Sequence, residues 1–73
     1  MSTNNYLLIN RKTLEITMRD ADTGCVLEKI GKAKNLNEAI NLAQDCQQKE
    51  IVEYGINFTE RVEIKAPACK HTG

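Results

Sequence analysis

DADTGCVLEKIGKAKNLNEAINLAQDCQQ, residues 20–48, decides the fold, because it sets a turn, a strand and an amphipathic helix in immediate succession. In its second half Leu36, Ala39, Ile40, Ala43 and Cys46 recur at the spacing that places them on one face of a 3.6-residue period. Asn37, Glu38, Asn41, Gln44, Asp45 and Gln48 fall on the opposite, water-facing side. Asn35 is a good N-cap, since its side-chain oxygen can accept from an otherwise unpaired N–H of the first turn, and Glu38 can reach back. The helix therefore starts at Leu36. An apolar stripe about four turns long needs a flat apolar partner, and the rest of the chain offers only strands.

Working outward, residues 6–10, 14–20 and 25–32 read as three strands of an antiparallel meander. Asp20 to Gly24 is the better specified of its two turns, because Asp suits the first position and Gly24 can take a left-handed backbone without Cβ strain. Pairing Asp20 with Cys25 sets Met18 against Leu27 and Ile16 against Lys29. By analogy Asn10 pairs with Glu15, Ile9 with Ile16 and Leu7 with Met18. One sheet face then holds Leu7, Ile9, Ile16, Met18 and Leu27, the seat for the helix. The analogy has a weak point at Leu14, which stands where Gly24 does. A branched side chain resists φ > 0, so the first turn is expected to be of another type.

The same register places Tyr6, Leu8, Thr17, Arg19, Val26 and Ile30 on the other face, with a bulge at Gly31 as the one device that would turn Ile30 back into the core. After the helix, Val52, Tyr54, Ile56 and Phe58 alternate with Glu53, Gly55, Asn57 and Thr59, the clearest strand signal in the chain. Their apolar face is assigned to the core. Val62 and Ile64 keep that parity, either as a continuation or as a short hairpin. The expected architecture is α+β in the order β-β-β-α-β: a three-stranded antiparallel meander, one helix packed on one sheet face, then a further strand. Residues 1–65 are taken as a single domain and 66–73, with the only Pro (Pro67), as a disordered tail.

With 73 residues the chain can bury only a modest fraction of its surface, so a partner or a homodimer would add needed stability. Ten basic and ten acidic residues cancel, so composition supplies no long-range attraction to nucleic acid or anionic membrane. No apolar run approaches the ~20 residues of a membrane span, and the N-terminus lacks a signal pattern. The expected location is the cytoplasm. Three cysteines, an odd number, fit reduced thiols better than a disulfide framework.

The chemistry-bearing motifs are weak. Asp20-Ala21-Asp22-Thr23-Gly24 has the start of a calcium loop, but its glycine falls one place early and Gly31 stands where a bidentate Glu is needed. Cys25, Cys46, Cys69 and His71 contain no C-x-x-C pair. The single histidine lies in the tail, away from any thiol it could activate. There is no glycine-rich phosphate loop and no paired carboxylate in an apolar context. The chain is read as a non-enzyme with no cofactor and no metal.

A strand, an Asp-x-x-Thr-Gly turn, a second strand, the phrase Asn35-Leu36-Asn37-Glu38-Ala39 and a final strand resemble small proteins of phages and mobile elements, a group that includes anti-CRISPR and other host-defence inhibitors. The resemblance implies a host-cytoplasmic inhibitor that occludes a surface of a larger protein or ribonucleoprotein complex. The same elements also resemble integrase arm-site DNA-binding domains and the platforms of some antitoxins. For protein binding the candidate residues are Tyr6, Leu8, Arg19, Val26 and Ile30, with Tyr6 and Arg19 as anchors because aromatic and Arg side chains most often carry interface energy. For a DNA-binding sheet module they are Lys29, Lys32 and Lys34, beside Arg11 and Lys12.

Overall fold

The structure, a computed structural model, describes residues 4–62. The order is β1 (Asn5–Asn10), β2 (Glu15–Asp20), β3 (Val26–Lys32), α1 (Leu36–Lys49) and β4 (Ile56–Thr59), so the α+β, β-β-β-α-β expectation holds. The four strands form one mixed sheet in the order β3-β2-β1-β4. β1, β2 and β3 are the antiparallel meander, and β4 returns to pair with β1 in parallel, Leu7 against Ile56 and Ile9 against Phe58. Because β3 also runs parallel to β1, α1 is a crossover between two edge strands that places two strands between them.

The β1–β2 register is the expected one, with Leu7 opposite Met18 and Ile9 opposite Ile16. Leu7, Ile9 and Ile16 are fully buried, and Met18, Ala33, Ala39, Ala43 and Cys46 complete the core. Large residues come from the sheet and small ones from the helix, which brings the helix backbone close to the strands. Asn35 Oδ1 accepts from the Glu38 N–H at 2.8 Å, confirming the cap, and Asp45 and Lys49 form an ion pair one turn apart at 3.1 Å.

The β2–β3 register is shifted. Arg19 faces Val26, but Met18 faces Glu28, Thr17 faces Lys29 and Ile16 faces Gly31, with irregularities on either side of the Thr17–Met18 pair. Leu27 and Ile30 are the extra residues of β3 at these two steps. Each inserted residue inverts the alternation beyond it. Leu27 consequently stands 47% exposed instead of seating the helix, and Ile30 packs against the core cluster instead of lying on the opposite face.

The two hairpin turns are built alike, contrary to expectation. Asn10 Oδ1 accepts from the N–H groups of Lys12 and Thr13, and Leu14 N–H donates to the Asn10 carbonyl at 2.7 Å. Asp20 Oδ1 accepts from Asp22 and Thr23, and Gly24 N–H donates to the Asp20 carbonyl at 2.7 Å. Leu14 accordingly takes φ +64° and Gly24 φ +77°. The Leu14 side chain packs against the core, and that burial offsets the cost of its left-handed backbone.

The last strand is shorter than the alternation suggested. Val52 and Ile56 do pack against the core, but Tyr54 and Phe58 are more than half exposed or close to it, at 57% and 50%. Tyr54 precedes the ladder, where Gly55 takes φ +73°. Phe58 is on the helix side of the sheet, but α1 packs over β1, β2 and β3, and the edge strand lies at the margin of its footprint. The expectations for Ile64, for a strand or hairpin over 62–65 and for the tail 66–73 fall wholly or mostly outside the described residues.

Candidate functional site

The sheet face away from α1 is lined by alternate residues of each strand: Tyr6, Leu8 and Asn10 from β1, Glu15, Thr17 and Arg19 from β2, Val26 and Lys29 from β3, and Thr59 from β4. All but Tyr6, together with Thr13, border a shallow depression of about 210 Å³. Four of the five protein-binding candidates, Tyr6, Leu8, Arg19 and Val26, share this face. Ile30 does not, because of the second β3 irregularity.

Tyr6 and Arg19 are direct cross-strand neighbours. Tyr6, Leu8 and Val26 are half-buried, whereas Arg19 is only 9% exposed. Its Nε donates to Thr17 Oγ1 at 3.1 Å and its Nη1 to the Gly24 carbonyl at 3.4 Å, so the guanidinium lies along the sheet toward the β2–β3 turn. The Tyr6 hydroxyl reaches the same turn, 3.9 Å from where a Cβ on Gly24 would sit. At the other end of the face Asn10 ties two elements together. Its Oδ1 holds the first turn, and its Nδ2 donates to the Arg61 carbonyl at 2.9 Å.

The candidate DNA-binding lysines are divided. Lys29 and Lys32 are in register with Thr17 and Glu15 on this face, and Lys34 is exposed beyond the strand. Glu15 stands directly opposite Lys32, so carboxylate and ammonium alternate here and no single-sign groove forms.

Among the described residues no group of three or more His, Cys, Asp or Glu side chains is placed to hold a metal ion, and Asp20 spends Oδ1 on its own turn. Cys46 is buried beneath the helix, its Sγ donating to Glu50 Oε2 at 3.5 Å. Burial first, then the hydrogen bond and charge of Glu50, push its thiol above the ordinary value of 9.0. A thiol held protonated is a packing group, not a nucleophile. Cys25 departs from the expectation of three reduced thiols: it is disulfide-bonded. Cys69 and His71 lie outside the described residues.

No family model, no curated protein and no solved structure matches this chain.

Sequence reasoning missed the exposed apolar margin of Ile51, Tyr54, Phe58 and Val62. Strict alternation reports that a segment is half-buried, but not how far a single helix reaches across the sheet. The signal that could have separated Val52 and Ile56 from their neighbours is Gly55, which breaks the extended run. Among the described residues no helix is long and apolar enough to cross a membrane.

Proposed function

We propose that this chain is a non-enzymatic protein-binding module, an inhibitor of the phage or mobile-element kind that occludes a surface of a host protein or ribonucleoprotein complex in the cytoplasm. The observation that carries this reading is the sheet face opposite α1, where Tyr6, Leu8 and Val26 surround a nearly buried Arg19 and no described element packs. Apolar and aromatic side chains around a positioned guanidinium are the composition of an interface centre. The alternation of Glu15 with Lys29 and Lys32 on the polar end of the face favours a protein over a polyanion.

The test is affinity capture from bacterial lysate with wild type and with the Tyr6→Ala/Arg19→Ala double variant, each under reducing conditions and with or without nuclease. A Leu8→Glu variant keeps the experiment informative if loss of Arg19 unfolds the sheet. A partner held by wild type after nuclease and lost with a folded face variant supports the proposal. Equal capture by folded variants removes this face from the interface, and capture that disappears with nuclease assigns the chain to nucleic acid.

A further inference from the structure

The sheet has two edges, and the chain treats them differently. β3 carries the extra residues Leu27 and Ile30, which interrupt its pairing, and the exposed cations Lys29 and Lys32. Irregularities and lysines are devices by which an edge strand resists further pairing. β4 has neither: Ile56-Asn57-Phe58-Thr59 is uncharged, lacks proline, and pairs with β1 in an unbroken parallel register. No described strand lies on its other side. The chain that follows β4 is drawn inward, since Asn10 Nδ2, at the end of β1, donates to the Arg61 carbonyl at 2.9 Å.

We infer that two copies of this chain pair β4 against β4, antiparallel about a two-fold axis at Asn57, and so join their sheets into one. The direction of the β4 peptide groups sets this register. Leu7 N–H donates to the Gly55 carbonyl at 2.8 Å and Arg11 N–H to the Thr59 carbonyl at 2.7 Å, so residues 55, 57 and 59 turn their peptide groups toward β1. The N–H and C=O groups of Ile56 and Phe58 therefore point to the open edge. In an antiparallel ladder only two residues that both face outward exchange both hydrogen bonds. With the axis at Asn57, Ile56 of each copy faces Phe58 of the other, and both pairs form. With the axis at Ile56, Phe58 would meet Tyr54, whose N–H already donates to the Asn5 carbonyl at 3.0 Å. With the axis at Phe58, Ile56 would meet Glu60, which lies beyond the strand.

The side chains fit the same axis, which is why the occupant is a second copy. Ile56 and Phe58 are on the helix side, in register with Leu7 and Ile9, and Phe58 is half exposed at the margin of α1. Pairing sets each Phe58 against Ile56 of the other copy, a favourable aromatic and β-branched cross-strand contact in the gap between the two helices. The exposed Glu53 of each copy comes to the end where Arg61 of the other emerges, so opposite charges meet at both ends of the seam. The contact is isologous and closes on itself, leaving the lysine-bearing β3 edges outermost, so no filament grows. The helix-free faces stay open side by side, and the inference does not rest on the binding reading.

Sedimentation equilibrium of the full chain in reducing buffer, from about 10 μM to about 1 mM, is expected to show a reversible monomer–dimer equilibrium with no larger species. Phe58→Pro removes an outward N–H and a seam side chain while keeping the ladder to β1, and should weaken dimerisation at least about tenfold. Asn57→Lys, at an exposed position, sets like charges opposite each other on the axis and should weaken it without altering the strand backbone. The register is read by Asn57→Cys under oxidised glutathione, with linked peptides identified by mass spectrometry. Its two introduced thiols should join, because antiparallel neighbours in a non-hydrogen-bonded pair lie about 4.5 Å apart at Cα. Thr59→Cys, on the same face, should not link to its copy. A wild type that stays monomeric throughout, a dimer that either folded variant leaves unweakened, or linkage at position 59 in preference to 57 would overturn the inference. None of these results alters partner capture by the helix-free face, so the two proposals fail separately.

Discussion

Asn5→Ala is the substitution for which the structure makes the sharpest demand. Asn5 opens β1, is 5% exposed, and uses both ends of its amide to hold the segment that links α1 to β4. Nδ2 donates to the Ile51 carbonyl at 3.2 Å and lies 3.4 Å from Met18 Sδ, and Oδ1 accepts from the Glu53 N–H at 3.0 Å. Alanine removes two side-chain-to-backbone hydrogen bonds, each contributing about 1 kcal/mol net. Ile51 and Glu53 are themselves exposed, so water can replace the lost partners and the larger penalty for an orphaned buried group does not apply. The expected loss is about 2 kcal/mol, a large fraction of the roughly 4–11 kcal/mol that a domain of this size has. Urea denaturation followed by far-ultraviolet circular dichroism should show a lower midpoint at unchanged slope. Asn5→Asp keeps the acceptor for Glu53 but sets a carboxylate against the Ile51 carbonyl, and should be no milder at neutral pH. A loss below about 0.5 kcal/mol for Asn5→Ala would refute the claim that this amide fastens the crossover.

Three further outcomes follow from particular residues. Gly24→Ala should cost about 1–2 kcal/mol in thermal denaturation, because φ is +77° while the nearest atom to the new Cβ, the Tyr6 hydroxyl, is an unstrained 3.9 Å away. Phe58→Ala should cost about 1 kcal/mol, well under the 3–5 kcal/mol of a core Phe, since half of that residue is in solvent. Cys46 has a folded-state pKa raised above 9.0. Its contribution to stability is full below the unfolded-state value and is lost as pH rises through the folded value, so Cys46→Ala should flatten the decline of stability above pH about 9.

What was legible in the sequence is what alternation and capping report. The helix start at Asn35 and Leu36, the β1–β2 register and the buried set Leu7, Ile9, Ile16 and Met18 follow from local periodicities that no distant contact opposes. The errors share a cause: each depends on a tertiary contact that local pattern does not encode. Leu27 and Ile30 exchange their expected environments because β3 carries two extra residues, and only Gly31 marked one of those places. Leu14 adopts the strained backbone that its branched side chain disfavours, because that side chain has the core to pack on. Phe58 is on the correct side of the sheet yet half exposed, because a single 14-residue helix does not extend over the fourth strand. The candidate site was legible to the same degree. Tyr6, Leu8, Arg19 and Val26 share one face as the alternation required, and Ile30 was lost to the same irregularity that moved it into the core.

The most direct measurement of the central claim is the comparative capture experiment: reduced wild type against folded Tyr6→Ala/Arg19→Ala and Leu8→Glu proteins, all nuclease-treated. The expected result is a stoichiometric protein or ribonucleoprotein partner retained by wild type and lost from both variants. Retention by both variants, or a partner that nuclease releases from wild type, would contradict it.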